Sequence, residues 1–165
     1  ENKIQEAVDK WTEIKNKKPD LKLHMIGKLQ TNKVKLAVRL FDFIHSVDSE
    51  KLAKKIADEQ SKIKRKIKIF IQVNIGNEAQ KSGIDQSSIK NLIFFCKEHD
   101  LDVIGLMCIP PANIDPGNYF KKMNEINNSF KLSELSMGMS SDYIEAAKNN
   151  SSYLRIGSSI FGQRV

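Results

Sequence analysis

The chain has 165 residues, of which 40% are hydrophobic and 28% charged, a composition that fits one soluble globular domain rather than a disordered or fibrous protein. No apolar run approaches the ~20 residues that a membrane-spanning helix needs, and the start at Glu1 lacks the basic and apolar regions of a secretion signal, so we expect a cytoplasmic protein that contacts no membrane. The formal net charge is +7, but only four of the 27 basic residues are arginine, the residue that phosphate recognition favours, so nucleic-acid binding is not expected.

Two helix–strand units are predicted in the first part of the chain. Apolar residues recur at helical spacing across residues 4–14. A Pro-Asp pair at residues 19–20 then interrupts the helix ahead of an apolar stretch at residues 21–27, which we predict to be a strand. Thr31 is placed to cap a second helix, and the β-rich run Phe43–Val47 predicts the second strand.

The middle of the chain repeats this pattern twice. Ser49 is placed to cap a third helix, and residues 67–75 form the clearest strand of the sequence, with an aliphatic residue at every odd position. A fourth helix, with an apolar face over residues 89–96, precedes a strand at residues 101–109. Two prolines at residues 110–111 end that strand.

Two further units complete the pattern. A helix with its apolar face over residues 120–130 leads to a strand at residues 132–139. Asp142 and Glu145 form a D-x-x-E pattern that predicts a capped short helix. Residues 153–157 are the last predicted strand.

The two cysteines, Cys96 and Cys108, stand in apolar surroundings without the spacing of metal ligands or of a disulfide scaffold. We interpret both as reduced core thiols, and we expect no metal site.

Six strands alternating with helices predict a parallel sheet with right-handed crossovers. Two closures fit this order, an open doubly wound sheet and a (β/α)8 barrel. Within residues 67–75 the aliphatic side chains share one face, and Lys68, Phe70, Gln72 and Asn74 share the other. This is expected if the aliphatic residues meet outer helices and the second set points into a barrel, so the pattern favours the barrel.

Two polar turns rich in small residues follow the last two predicted strands, at residues 136–142 and 155–162. Loops at this place in (β/α)8 barrels frequently bind phosphate. Gly157 lets backbone N–H groups approach an anion, and the hydroxyl group of Ser140 or Ser158 can donate a hydrogen bond. Because an arginine predicted to point inward lies beside these turns, the sequence predicts a site for a phosphorylated small molecule, without naming the molecule.

Four stretches of the chain carry recognisable motifs. They are H-M-I-G-K-L-Q-T-N-K at residues 24–33, Q-V-N-I-G-N-E-A-Q-K-S-G at residues 72–83, G-L-M-C-I-P at residues 105–110, and the two polar turns. In this order they resemble the YggS/PROSC family of homeostasis proteins that bind pyridoxal 5'-phosphate (PLP). The pair S-M-G-M-S-x-D and R-I-G-x-x-I-F-G in the turns is highly specific, and the resemblance covers nearly the whole chain.

The resemblance implies an α/β fold, a (β/α)8 TIM barrel of the alanine-racemase N-terminal type, with residues 1–165 as a single partial domain. Glu1 and Asn2 resemble the end of the turn that follows the family's second strand, so we expect the first strand and helix and most of the second strand to be absent. The family's Schiff-base lysine ends that first strand, so none of the 23 lysines here is expected to take its role. We also expect two unpaired strand edges and a poorly soluble or molten chain.

Eight residues match the family's cofactor pocket and are predicted to bind PLP: Asn2, His24, Ser136, Met137, Ser140, Arg155, Gly157 and Ser158. In the family, the arginine matched by Arg155 lies beside the pyridine nitrogen, and a guanidinium cannot give up a proton there, so the ring should stay unprotonated. The serines and Gly157 match the phosphate cup, with Ser158 in place of the commoner threonine. Asn2 and His24 match residues at the inner strand ends.

The function implied by the resemblance is that of a PLP carrier in intracellular PLP homeostasis, a monomer without strong turnover, with PLP-dependent apoenzymes as candidate partners. The alternative is a PLP-dependent amino-acid racemase, which needs a base on the other face of the cofactor; Tyr119, Tyr143 and Tyr153 lie in no assignable motif and are interpreted as core or surface residues. A sugar-phosphate enzyme would need inward carboxylates, and little beyond Asp42 and Asp48 qualifies.

Overall fold

Helices and strands alternate along the chain from its first element to its last. The computed structural model describes residues 1–112 and 114–162. In these residues the α-helices are α1 (Ile4–Lys17), α2 (Val34–Leu40), α3 (Glu50–Lys62), α4 (Ile89–Glu98), α5 (Gly117–Ser129), α6 (Tyr143–Lys148) and α7 (Ser158–Phe161). The β-strands are β1 (His24–Met25), β2 (Phe43–Val47), β3 (Lys68–Val73), β4 (Asp102–Cys108), β5 (Glu134–Met139) and β6 (Tyr153–Arg155). Short 3₁₀ turns, Thr31–Lys33 and Gln86–Ser88, precede α2 and α4.

The strands form one parallel sheet in the order β1-β2-β3-β4-β5-β6. Strand order that follows the chain is the topology of a barrel, whereas a doubly wound sheet reverses its order at a switch point. If the sheet were flat, five spacings of ~4.8 Å would place β1 and β6 roughly 24 Å apart, yet the rings of His24 in β1 and Tyr153 in β6 have centroids 5.6 Å apart. The sheet is therefore curled into a partial barrel, which confirms the predicted fold class.

Side chains of the curled sheet alternate between its two faces. On β3 and its flanks the odd-numbered aliphatic residues lie in the hydrophobic core beneath the helices. Phe70 lies on the opposite face, inside the barrel, with its ring centroid 4.3 Å from that of His45. The faces predicted for the aliphatic residues of 67–75 and for Phe70 are therefore confirmed.

The helix starts follow local hydrogen-bond chemistry, with two departures from prediction. The side chain of Ser49 caps α3 by accepting from the Leu52 N–H at 3.3 Å, as predicted. Thr31 is not a cap, because it lies inside a 3₁₀ turn whose N-cap residue is Gln30. The Asp142 carboxylate does not cap α6, because it accepts at 2.6 Å from the backbone N–H of Met139 behind it.

An ion cluster around Asp42, the residue just before β2, joins α1 to the segments that precede β1 and β3. The Asp42 carboxylate accepts from Lys15 Nζ at 2.6 Å, from Arg65 Nη2 at 2.7 Å and from the backbone N–H of Leu23 at 2.9 Å. Burial alone would raise the pKa of Asp42, but these hydrogen bonds and the two cations hold it below its ordinary value. The cluster ties three segments together at the end of the barrel opposite the polar turns.

Cys96 and Cys108 are free and buried, as predicted. Burial raises the pKa of each thiol to about 12, so both stay protonated near neutral pH. Over the ranges 1–112 and 114–162, no helix combines the length and the apolar character needed to cross a bilayer. The same residues contain no group of three or more His, Cys, Asp or Glu side chains able to hold a metal ion.

Candidate functional site

A chain of side-chain hydrogen bonds runs through the interior of the barrel from β1 to β6. His24 Nδ1 lies 2.9 Å from His45 Nε2, and His45 Nδ1 lies 2.7 Å from Ser136 Oγ. Arg155 Nη1 donates to the same Ser136 Oγ at 2.7 Å. The chain therefore connects four strands, β1, β2, β5 and β6, by polar contacts inside an otherwise apolar sheet.

Aromatic rings pack around the two histidines. The His24 ring stacks on Phe43 with centroids 4.1 Å apart, and the His45 ring stacks on Phe70 at 4.3 Å. Tyr153 lies across all four rings, with centroid distances of 5.2 to 5.8 Å. Because these rings fill the space around the hydrogen-bonded chain, they exclude water from His45, whose pKa falls to about 2 through burial and through the nearby His24 and Arg155.

Arg155 is the charged residue at the centre of this interior. Its second amino group, Nη2, donates to the backbone carbonyl of Cys108 at 2.8 Å, so both of its observed partners, Ser136 and Cys108, are uncharged acceptors. Burial lowers the pKa of Arg155, but a guanidinium stays protonated in proteins. Among the described residues no carboxylate forms an ion pair with it, so its charge remains available to a ligand.

The two polar turns meet just beyond Arg155. Ser140 Oγ accepts from the backbone N–H of Gly157 at 3.0 Å and from that of Ser159 at 3.4 Å, so two N–H donors converge on one oxygen. A Cβ placed on Gly157 would have no atom within 4 Å, so the space in front of this residue is open. Gly138, at φ +92°, allows β5 to turn sharply, and a Cβ there would lie 2.5 Å from Ala146 Cβ.

A cavity of about 540 Å³ lies along the open side of the curled sheet, between β1 and β6. Four of the predicted site residues line it: Asn2, His24, Arg155 and Gly157. Two more border those residues, since Ser136 contacts Arg155 and Ser140 contacts Gly157. Ser158 begins α7 as an exposed residue and is not part of this lining.

The structure corrects the prediction for the Met137 side chain. Met137 is fully buried in the core between the sheet and the helices, together with Leu135 and Ala146. Because side chains alternate along a strand, Ser136 faces the interior and Met137 must face outward. Gly138, at φ +92°, interrupts the alternation, and Met139 after it is exposed at the strand end, where it lines the cavity.

Two interior residues were missed by sequence reasoning. His45 links His24 to Ser136, and Tyr153, interpreted as core or surface, contacts both histidine rings. The alternation along Phe43–Val47 would have predicted that His45 points into the barrel, because His45 shares a face with Phe43 and lies on the opposite face from the aliphatic Ile44.

Comparison with known proteins places this geometry in a family. Residues 1–165 match the model of the alanine racemase N-terminal domain. A pyridoxal phosphate homeostasis protein of Aquifex aeolicus is 36% identical over 174 residues, which span 99% of this chain and 75% of that protein. The protein of the same name from Vibrio cholerae is 35% identical over 178 residues, or 99% and 74% of the two chains. The chain belongs to the family of pyridoxal phosphate homeostasis proteins.

Solved structures agree with this membership. PipY of Synechococcus elongatus, determined without PLP and with PLP bound, superposes with a TM-score of 0.89 at 32% identity, covering 98% of this chain and 80% and 79% of the two PipY chains. An alanine racemase of Clostridium difficile superposes with a TM-score of 0.75 at 15% identity, over 99% of this chain and 44% of the racemase. The homeostasis family and the racemase therefore share the barrel fold, and the racemase likeness extends to the fold alone.

Proposed function

We propose that this protein binds PLP in its barrel interior and serves PLP homeostasis in the cytoplasm as a monomeric carrier that supplies PLP-dependent apoenzymes. One observation carries the proposal: the uncompensated Arg155 guanidinium lies at the cavity wall, two residues before the turn where N–H groups converge on Ser140. Two residues of extended chain span roughly 6–7 Å, the scale of one substituted aromatic ring. The family membership and the PLP-bound PipY structure support the same cofactor.

The Arg155 side of the site, where the PLP ring would lie, favours an unprotonated pyridine nitrogen. Arg155 can only donate hydrogen bonds, so a ring nitrogen that faces it must accept. PLP supplies an aldehyde that captures amines and a ring that draws electrons from them, and the ring does so weakly when its nitrogen carries no proton. This favours holding the cofactor over turning over a substrate.

The phosphate end of the site uses backbone donors. The N–H groups of Gly157 and Ser159 already share one neutral oxygen, Ser140 Oγ, and a phosphate oxygen is a stronger acceptor for the same donors. The open space in front of Gly157 gives the phosphate room to approach the backbone. The covalent partner expected from the resemblance, a lysine on a strand before Glu1, stays a prediction.

The racemase alternative needs a base on the opposite face of the cofactor. Tyr153 is the tyrosine that lies in the interior, but burial, and to a smaller extent Glu134, raises its pKa, which disfavours the phenolate that would act as the base. This supports the carrier over the racemase.

The proposal is tested by titrating the protein with PLP and following fluorescence or equilibrium dialysis. We expect saturable binding that falls at least tenfold in Arg155→Met, while Arg39→Met, which removes an exposed arginine, binds as the wild type does. Pyridoxal, which has no phosphate, should bind much more weakly than PLP. Absence of saturable binding, or equal binding by Arg155→Met, contradicts the proposal. Added L-alanine should yield no D-alanine, and its formation would favour the racemase.

A further inference from the structure

We propose that His45 is a positioning residue for Arg155, acting through Ser136 as a neutral imidazole that carries its proton on Nε2. The inference rests on the proposed function only in naming what Arg155 contacts. The hydrogen-bond partners of His45 are the uncharged groups of Ser136 and His24, so its role follows from the hydrogen bonds that run through it.

The direction of the hydrogen-bonded chain is fixed at its Arg155 end. A guanidinium only donates, so Ser136 Oγ accepts from Arg155 Nη1. Ser136 is fully buried, and its own hydroxyl proton needs an acceptor, because a buried donor without one is costly. Among the described residues, the remaining partner of that hydroxyl is His45 Nδ1, at 2.7 Å. Ser136 therefore donates and His45 Nδ1 accepts.

The proton of His45 then follows. A neutral imidazole has one donor and one acceptor nitrogen, so an accepting Nδ1 leaves the proton on Nε2, which donates to His24 Nδ1 at 2.9 Å. The order is Arg155 to Ser136 to His45 to His24, with each group donating to the next. His24 lines the cavity, so this series of hydrogen bonds ends at a residue that reaches the site from β1, the strand at the other edge of the sheet.

An imidazolium at His45 would break this order. Both ring nitrogens would then donate, and the buried Ser136 hydroxyl would lose its acceptor. The titratable side chains that face His45 are His24 from β1 and Tyr153 and Arg155 from β6, and none of them supplies a negative charge near neutral pH. Burial and these neighbours lower the pKa of His45 to about 2, in agreement with the geometry.

The chain of hydrogen bonds holds the Arg155 guanidinium in place and does not move a proton. A proton relay needs a terminal group that can release or accept a proton at working pH, and Arg155 does neither. The effect of the chain is instead to fix one edge of the guanidinium through Ser136, while Cys108 O fixes Nη2. Because both amino groups of Arg155 are held, the remaining N–H groups of the guanidinium face a ligand in one fixed orientation. This preorganisation favours binding.

The first test needs no substitution and no cofactor. In the ¹⁵N-histidine-labelled protein, NMR should show His45 as the neutral Nε2–H tautomer throughout pH 5–8. A proton on Nδ1, or titration of His45 within that range, would overturn the proposal.

The second test compares His45→Asn with His45→Leu. The asparagine amide oxygen stands near the position of imidazole Nδ1 and can accept from Ser136, whereas leucine fills the space and cannot accept. We expect Arg155 Nη protons to exchange with solvent about tenfold faster in His45→Leu and near the wild-type rate in His45→Asn, with PLP affinity following the same order. The matched control is His99→Leu, because His99 bonds to Phe95 O in α4, outside the barrel interior.

The outcomes separate this inference from the proposed function. If His45→Leu, folded by circular dichroism, keeps wild-type Arg155 exchange, His45 does not position Arg155. If His45→Leu fails to fold, the tautomer of the wild-type protein decides. If the wild type binds no PLP, the proposed function fails, while the tautomer and exchange measurements still test the role of His45.

Discussion

The ring of His24, on the first strand of the sheet, lies 5.6 Å from the ring of Tyr153, on the last. This contact spans the opening of the curled sheet, and Phe43, His45 and Phe70 pack beneath it. The curvature that creates the candidate site is therefore stabilised by aromatic side chains of the barrel interior.

We expect Tyr153→Ala to lower the free energy of unfolding by about 1–3 kcal/mol, because it removes a half-buried ring that contacts four others. Tyr153→Phe should change it by less than about 0.5 kcal/mol, since no hydrogen bond of the Tyr153 hydroxyl is seen within residues 1–112 and 114–162 and the ring is kept. Urea unfolding measures both. A large loss in Tyr153→Phe would show that the hydroxyl, rather than the ring, holds the strands together.

The Asp42 cluster predicts a pH-dependent loss of stability in acid. The folded-state pKa of Asp42 lies below its ordinary value, so its contribution is present above the unfolded pKa of about 3.9 and is lost as the pH falls through the folded pKa. Asp42→Asn should lower the free energy of unfolding at pH 7 by about 1–3 kcal/mol, because Lys15 and Arg65 lose their shared anion. It should also flatten the stability profile below pH 4.

The control for Asp42→Asn is Asp100→Asn. Asp100 pairs with Lys66 across exposed side chains, and such pairs contribute little. Denaturant unfolding at pH 3 and pH 7 distinguishes the two variants. Equal losses in both would contradict a special role for the Asp42 cluster.

Gly157→Ala should weaken PLP binding at least tenfold while leaving the fold intact. The φ of Gly157, −124°, lies outside the left-handed region, and the added methyl group meets no protein atom within 4 Å, so it would occupy the space proposed for phosphate. Gly117→Ala, at the start of α5 with ordinary contacts of 3.4 Å and more, should bind PLP as the wild type does. Unchanged affinity in Gly157→Ala would place the phosphate elsewhere.

The two methionines of the first polar turn should behave differently. Met137→Ala should cost about 2–5 kcal/mol of stability, since it leaves a cavity in the core. Met139→Ala should cost less than about 1 kcal/mol, because Met139 is exposed, but it should change PLP affinity, because Met139 lines the cavity. Thermal unfolding together with PLP titration measures both effects, and the reverse pattern would mean that the faces of β5 are wrongly assigned.

Period-two alternation carries enough information to predict which face of the sheet meets the helices. In residues 67–75 the aliphatic positions alone fixed which face meets the helices, and Phe70 lies on the other face as expected. The curvature follows from that division only once the strand order is known, and strand order is a long-range property. The face pattern of residues 67–75 favoured the barrel over the open sheet, and the resemblance to the homeostasis family implied the same strand order.

The site was less predictable than the fold. Arg155, His24 and Gly157, which the motifs predict to bind the cofactor, line one cavity, because motif residues at strand ends converge in a barrel. Met137 lies in the same motif but faces outward, since a motif does not state which of its side chains point inward. His45 was missed because its partners are 21 and 91 residues away in the chain, and Asp142 bonds backward to Met139 rather than forward.

β6 contains three residues and, in the part of the chain described, pairs with β5 alone. Besides this backbone pairing, Arg155 links the short strand to the rest of the barrel through Ser136 and through Cys108 on the non-adjacent β4. A ligand bound to Arg155 would consequently add its binding free energy to this edge of the sheet. The amide hydrogens of β6 should then exchange more slowly with solvent as the site fills. The protection of this strand would therefore report the fraction of protein molecules that have ligand bound.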